Sequence, residues 1–184
     1  MQQYRELVPT LQEMAKKAND QLRRALREQG IYVTAFEYRV KTEQSLAGKL
    51  ERKGAKYKSI YDITDLVGLR VITFYTDEVA KVAVIAKRVF DIDWQESVDK
   101  RKLHQLDSFG YNSLHYICRL PNYPFRFELQ LRTTLQHAWA SINHDTGYKS
   151  GIEIPREYMR RMNRLAGMLE MADDEFSRIR TEIT

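Results

Sequence analysis

Eight residues, Phe125-Arg126-Phe127-Glu128-Leu129-Gln130-Leu131-Arg132, alternate strictly between apolar and polar side chains. On a strand, that period of two sends Phe125, Phe127, Leu129 and Leu131 to one face and Arg126, Glu128, Gln130 and Arg132 to the other. The first row has the pattern of a buried sheet face. The second lines up four long polar side chains, with a carboxylate between guanidiniums. From Thr133 the period becomes helical. Leu135, Ala138, Trp139 and Ile142 form an apolar stripe, while His137, Ser141 and His144 share another side at i, i+4 and i+7. A charged strand face running into a helix with two histidines predicts the floor and wall of a polar cleft.

The same patterning orders the rest of the chain. Thr10-Leu11-Gln12-Glu13 predicts a capping-box start for a first helix, with Leu11, Met14, Ala15, Ala18, Leu22, Ala25 and Leu26 inward. That helix is expected to end near Gln29, before Gly30. Its other side carries Lys16, Lys17, Arg23, Arg24 and Arg27, the composition of a solvated face. Residues 31–41 read as extended chain or loop. Thr42 predicts the N-cap of a helix that stops at Gly54, with Ser45, Lys49 and Arg52 along one side.

Residues 66–75 predict a central strand buried on both faces, with Asp65 at its entrance and Arg70 in its middle. An arginine there is costly unless it is paired or faces a cleft. A helix from Thr76 follows, with Val79, Val82, Ile85, Ala86 and Val89 inward. Residues 91–108 read as an edge strand and a loop. A second alternating strand places Leu114, Tyr116, Cys118 and Leu120 on one side and Ser113, His115 and Arg119 on the other. Paired as a hairpin with the strand described first, it would bring Ser113 and His115 near Glu128 and Gln130. Pro155 opens a last helix, with Tyr158, Met162, Leu165, Leu169, Ala172 and Phe176 at helical spacing. It is expected to pack on the sheet or on another subunit.

Composition narrows the setting. The 184 residues suit one domain with helical extensions and suffice for a substantial core. No apolar run can span a bilayer and the first residues form no apolar leader, so no membrane role and a cytoplasmic location are expected. A single cysteine, Cys118, excludes an internal disulfide. The net charge of +5 favours anionic partners, though only weakly.

Four segments then occur in a telling order. They are Arg39-Val40-Lys41 with Ser45, Lys49 and Arg52-Lys53-Gly54; Asp65-Leu66-Val67-Gly68-Leu69-Arg70-Val71; Gly110-Tyr111-Asn112-Ser113-Leu114-His115; and Glu128-Leu129-Gln130-Leu131-Arg132-Thr133. Together with His137-Ala138-Trp139, His144-Asp145 and Tyr148-Lys149, they resemble the synthetase domain of the RelA/SpoT family over roughly residues 35–180. The resemblance implies an α+β, nucleotidyltransferase-like fold: a mixed sheet of about five strands flanked by helices. Residues 1–34 would be an N-terminal helical extension and 35–184 the synthetase domain, one compact unit.

The resemblance also implies Mg²⁺-dependent transfer of pyrophosphate from ATP to the 3′-hydroxyl of GDP or GTP, giving AMP and the alarmone (p)ppGpp. In those terms Asp65 ligates the metal, and Glu128 ligates it, orients the site or helps deprotonate the hydroxyl. Arg39 and Arg70 stack on adenine, and Lys41, Ser45, Lys49 and Arg52 hold the ATP phosphates. Tyr111 stacks on the acceptor base, with His115, Gln130 and Arg132 lining the acceptor side. One departure bears on the acceptor: Asp107 stands where many guanosine-tetraphosphate synthetases carry a lysine, although Lys100, Arg101 or Lys102 could substitute. Two alternatives therefore stand beside the alarmone synthetase. One is a toxin-like relative that modifies the 3′ end of tRNA and is neutralised by an antitoxin. The other is a non-catalytic nucleotide- or RNA-binding module. A homo-oligomer is left open in each case.

Overall fold

The computed structural model describes residues 2–99, 113–148 and 155–184. Its helices are α1 (Gln2–Glu28), α2 (Glu43–Lys53), α3 (Thr76–Val89), α4 (Thr134–Tyr148) and α5 (Arg156–Ile183). The strands are β1 (Ala35–Val40), β2 (Val67–Thr73), β3 (Asp91–Ile92), β4 (Val98–Asp99), β5 (Leu114–Arg119) and β6 (Arg126–Thr133). The sheet runs β1-β2-β6-β5-β3, with β4 also paired to β5. Strands β2 and β6 are parallel and the other pairs antiparallel. This is the mixed α+β sheet expected from the resemblance.

The alternation in β6 does what its period demands. Phe127, Leu129 and Leu131 are fully buried, and Phe127 meets Phe90, the residue that ends α3, edge to face at 5.1 Å. Helices α1 and α3 share this core, through Leu11, Met14, Ala18 and Leu22 on one and Val79, Val82 and Ala86 on the other. Apolar burial of that kind contributes about 1.5–3 kcal/mol for each large side chain. It holds the sheet as a rigid base for whatever its opposite face carries.

Four sequence expectations need correction. Helix α1 begins at Gln2 and contains Pro9, so Thr10 is not its cap. Tyr4 is buried and donates its hydroxyl to the Lys41 carbonyl, and Arg5 pairs with Glu43 at 2.7 Å. These contacts sustain a first turn that Pro9 would otherwise weaken. Glu13, expected to reach back to a cap, instead accepts from the Tyr123 hydroxyl at 2.5 Å. The other end matches expectation. Gly30 has φ +67°, and Ile31 and Gly30 donate to the Leu26 and Arg27 carbonyls in a Schellman closure.

Second, β2 is not buried on both faces. Val67, Leu69 and Val71 are buried, but Gly68 and Arg70 are only half-buried because their face opens into a cleft. Third, in α4 the stripe narrows to Leu135 and Trp139, and Ala138 and Ile142 are exposed. Trp139 packs on Ala166, Met162 and Leu169 of α5, so the inward face follows α5. Fourth, Tyr158, Leu165 and Phe176 of α5 are about half exposed. That helix is held instead by this small cluster and by polar contacts. Thr133 donates to Asp173, Thr76 and Ser177 share a hydrogen bond of 2.9 Å, and Arg180 pairs with Asp77 and Glu78 across its stack on Tyr75.

The β6–α4 junction is fixed by a capping box. Gln136 N donates to Thr133 Oγ1 at 3.1 Å, and Thr133 N donates to Gln136 Oε1 at 2.8 Å. Thr42 caps α2 as expected, accepting from Ser45 N.

Candidate active site

Pairing register alone sets out the polar face. Glu37 of β1, Arg70 of β2, Gln130 of β6 and His115 of β5 stand opposite one another in one row across four strands. Arg39, Gly68, Glu128 and Ile117 make the next row. Opposed residues on neighbouring strands project to the same side. A residue without a side chain therefore sits beside Glu128. A Cβ at Gly68 would meet nothing within 4 Å, so the gap is open space. Here the sheet floors a cavity of about 340 Å³, lined by Glu37, Tyr38, Arg39, Lys41, Asp65, Gly68, Leu69, Arg70, Glu128 and Gln130.

Asp65 stands at one side of it, just ahead of β2. Lys41, at the end of β1, reaches Asp65 Oδ2 at 3.1 Å, and Lys49 reaches Oδ1 at 2.6 Å from α2. The register places Lys41, whose backbone N–H donates to Leu66 O. Buried Leu46 seats α2 so that Lys49 points inward. Burial lowers the Lys49 pKa, but hydrogen bonding and charge from Asp65 outweigh it and the net shift is upward. Ser45 and Arg52, expected alongside Lys49, are exposed and do not line the cavity.

Glu128 forms the other side. His115 Nδ1 lies 2.7 Å from its Oε1, and Gln130 Nε2 donates to its Oε2 at 3.0 Å. The Gln130 carbonyl oxygen accepts from both Arg70 Nε, at 3.2 Å, and Arg132. Arg70 also pairs with Glu37 at 3.1 Å. Thus the costly arginine in β2 is both paired and open to the cleft. Arg132 is buried, and burial followed by repulsion from Arg70 brings its pKa down to about 10. Its Nε and the Nδ1 of His137 are buried atoms without hydrogen-bond partners among the described residues. Burial, then Arg70 and Arg132, lowers the His137 pKa as well, favouring the neutral ring. His144, the other histidine of the predicted wall, is exposed.

The structure therefore brings together Arg39, Lys41, Asp65, Arg70, Glu128 and Gln130 around one cavity, with Lys49, His115 and Arg132 bound directly to members of that group. Tyr111, Asp107 and the basic residues at 100–102 lie outside the described residues. Arg126, although in the same polar row of β6, turns away to Asp93 at 3.0 Å. Glu37 is a cavity residue that sequence reasoning misses. Its alternation with Arg39 in β1 is the available signal, in a segment read as extended or loop.

Comparison with known proteins places this geometry. The sequence model described as "Region found in RelA / SpoT proteins" matches residues 38–153. The chain belongs to the RelA/SpoT family. The matched stretch holds every cavity-lining residue except Glu37. Among curated proteins, the chain is 29% identical over 154 residues to the GTP pyrophosphokinase YjbM of Bacillus subtilis (strain 168), covering 79% of this chain and 71% of that protein. It is 28% identical to the GTP pyrophosphokinase YwaC of the same organism, covering 79% and 72%. The crystal structure of small alarmone synthetase 1 from Bacillus subtilis bound to its product pppGpp superposes with a TM-score of 0.80 at 27% identity, over 99% of this chain and 98% of that one.

Two carboxylates facing one cavity also suit a hard divalent cation. Among the described residues no group of three His, Cys, Asp or Glu could cage a metal. Mg²⁺ is usually bound by one or two carboxylates and completed by substrate phosphates and water, and Asp65 and Glu128 fit that donor set.

Proposed function

We propose that this protein is a GTP/GDP pyrophosphokinase, which transfers pyrophosphate from ATP to the 3′-hydroxyl of GDP or GTP and releases AMP and (p)ppGpp. The observation that carries the reading is the placement of Asp65 and Glu128 around one cavity, among Lys41, Lys49, Arg70 and Arg132. The named activity of the related GTP pyrophosphokinases supports it. Among the described residues, no helix is long and apolar enough to cross a membrane.

Phosphoryl-type transfer is governed by positioning and charge, because the attacked phosphorus is shielded by anionic oxygens. Lys41 and Lys49 are poised to move from Asp65 to the ATP phosphates as charge-assisted donors. That exchange would free the Asp65 carboxylate. Arg39 and Arg70 flank the cavity where adenine would be held, since guanidinium planes stack on aromatic faces. Glu128 faces the acceptor hydroxyl, either taking its proton or fixing its approach. Bound by Asp65 and Glu128, Mg²⁺ would supply charge neutralisation on the phosphates. Gln130 and Arg132 stand on the acceptor side, and Arg132 Nε offers a buried, unpartnered donor there.

The deciding experiment incubates the protein with labelled ATP, Mg²⁺ and, separately, GDP, GTP, adenine nucleotides or bulk tRNA. Guanosine tetra- and pentaphosphate are the expected products, without any RNA requirement. Pyrophosphorylated tRNA as the sole product would establish the toxin-like alternative instead. Salt is a second discriminator. Binding of a structured RNA falls by roughly 0.7–0.9 log units per log unit of salt for each phosphate neutralised, so nucleotide use should be much the less salt-sensitive.

A further prediction concerns adenine. Arg39→Ala and Arg70→Ala should each raise the KM for ATP, by about ten-fold if one stacking contact of about 1–2 kcal/mol is lost. The KM for the acceptor should change little. Steady-state kinetics with each substrate varied in turn checks this, and an unchanged ATP dependence in both variants would leave Arg70 a structural role through Glu37 and Gln130.

A further inference from the structure

Ser113 precedes β5 and is buried, at 8% exposure. Its hydroxyl oxygen lies 2.7 Å from His115 Nε2, and the other ring nitrogen lies 2.7 Å from Glu128 Oε1. Serine, imidazole and carboxylate are thus joined in a line that ends on the cavity wall. Both nitrogens of His115 are committed within it.

The direction of the hydrogen bonds follows from what each group can donate. An ionised carboxylate only accepts. Glu128 Oε2 already accepts from the Gln130 amide, so both of its oxygens are set up as acceptors. His115 must then present Nδ1–H to Glu128. In the neutral ring, that leaves Nε2 as an acceptor, which a hydroxyl can satisfy by donating. A side chain that could only accept would instead favour the opposite tautomer, turning a bare lone pair toward the Glu128 carboxylate.

We propose that Ser113 is a positioning residue for the transfer reaction: its hydroxyl donates to Nε2 of His115 and fixes the ring whose Nδ1–H holds the Glu128 carboxylate at the cavity. The inference rests on the functional reading above, in which Glu128 faces the acceptor hydroxyl. It assigns Ser113 no bond to substrate. With the hydroxyl present, the ring is anchored at both nitrogens and Glu128 has one orientation. Without it, Glu128 still selects Nδ1–H, but the ring is anchored at one nitrogen only and the carboxylate loses a fixed donor.

The test uses the full chain, in which four histidines keep ¹⁵N-histidine spectra readable. A His115→Asn variant assigns the His115 signals by their loss. In the wild type, His115 is expected as a single Nδ1–H tautomer. Ser113→Ala should keep that tautomer, shift the Nε2 resonance as its donor is lost, and lower kcat by about ten-fold, in keeping with groups that orient a functional ligand. The KM for ATP and the melting temperature should stay close to the wild type. Ser113→Thr, which keeps the hydroxyl, should restore both the Nε2 resonance and kcat. If the alanine variant does not fold, Ser113→Cys, with a weaker donor of similar shape, should show the same changes in smaller measure. Any other ring state in the wild type would overturn the proposal, as would a Ser113→Ala enzyme with unchanged Nε2 resonance and kcat. The ring-nitrogen readout needs no substrate. Failure to form a guanosine product would therefore refute the activity while leaving the hydrogen-bond assignment separately tested.

Discussion

Glu128→Gln and Asp65→Asn are each expected to lower turnover by at least about 10²–10³, the loss that follows removal of one preorganised charge-stabilising group. Both replacements keep the shape of the side chain and change its charge. An amide at position 128 could still accept the hydrogen bond from the His115 ring, and one at position 65 could still accept from one of the lysines now 2.6 and 3.1 Å away. The fold should survive, because neither residue belongs to the apolar core beneath the sheet. What goes is the negative charge that, in the proposed reaction, would hold a divalent cation and, at Glu128, act on the acceptor hydroxyl. Release of AMP from labelled ATP, measured at saturating Mg²⁺ beside a thermal melt of each variant, separates a lost reaction from a lost fold. Near-wild-type turnover by either variant would remove that residue from the reacting centre.

The second large effect is on stability and depends on pH. Asp173 of α5 is buried against the β6–α4 junction, where Thr133 donates to it. Burial, reinforced by the adjacent Asp174, raises its pKa from 3.8 to about 7. The folded protein therefore holds this proton over a range where the unfolded chain has released it. With more protons bound in the folded state, stability falls as pH rises. The contribution is fully present below about pH 4 and is lost as pH passes through about 7. Relative to Asp173→Asn, which cannot ionise, the wild type should lose on the order of 2–4 kcal/mol between these limits. Urea unfolding of both proteins at several pH values reads the difference directly. A difference that does not change with pH would show that Asp173 ionises in the folded protein as it does in the unfolded chain. Because Thr133 directly follows Arg132, the same contact ties α5 to the strand that carries the cleft residues.

The legibility of this protein is uneven, and the two Thr-x-x-Glu/Gln patterns show why. Thr10-Leu11-Gln12-Glu13 has the form of a capping box but lies inside α1, whereas Thr133-Thr134-Leu135-Gln136 forms one. Local sequence states only that a hydroxyl can cap. Whether the chain ends there depends on what the preceding turn can bury, and Tyr4 has a buried place beneath Lys41. The same limit applies to α4 and α5. Their apolar stripes are visible, but the partner helix decides that Trp139 turns in while Ala138 and Ile142 stay out.

By itself, the sequence determined the alternation in β6, the hairpin that brings His115 to Glu128, the cap at Thr42 and the family of the fold. The first three rest on periods and spacings that involve near neighbours along the chain, and the family rests on the resemblance of four motifs spread over it. Only the tertiary structure decided that Lys41 and Lys49 both close on Asp65, that Glu37 pairs with Arg70, and that Ser113, His115 and Glu128 form one line. The first two depend on strand order and register between segments far apart in sequence, and the third on how the side chains turn within the hairpin. A one-residue slip in register would send every side chain of the cleft to the opposite face. The buried rows of Val67, Leu69, Val71, Phe127, Leu129 and Leu131 forbid that slip. The apolar face of the sheet thus determines where the charged face does its chemistry.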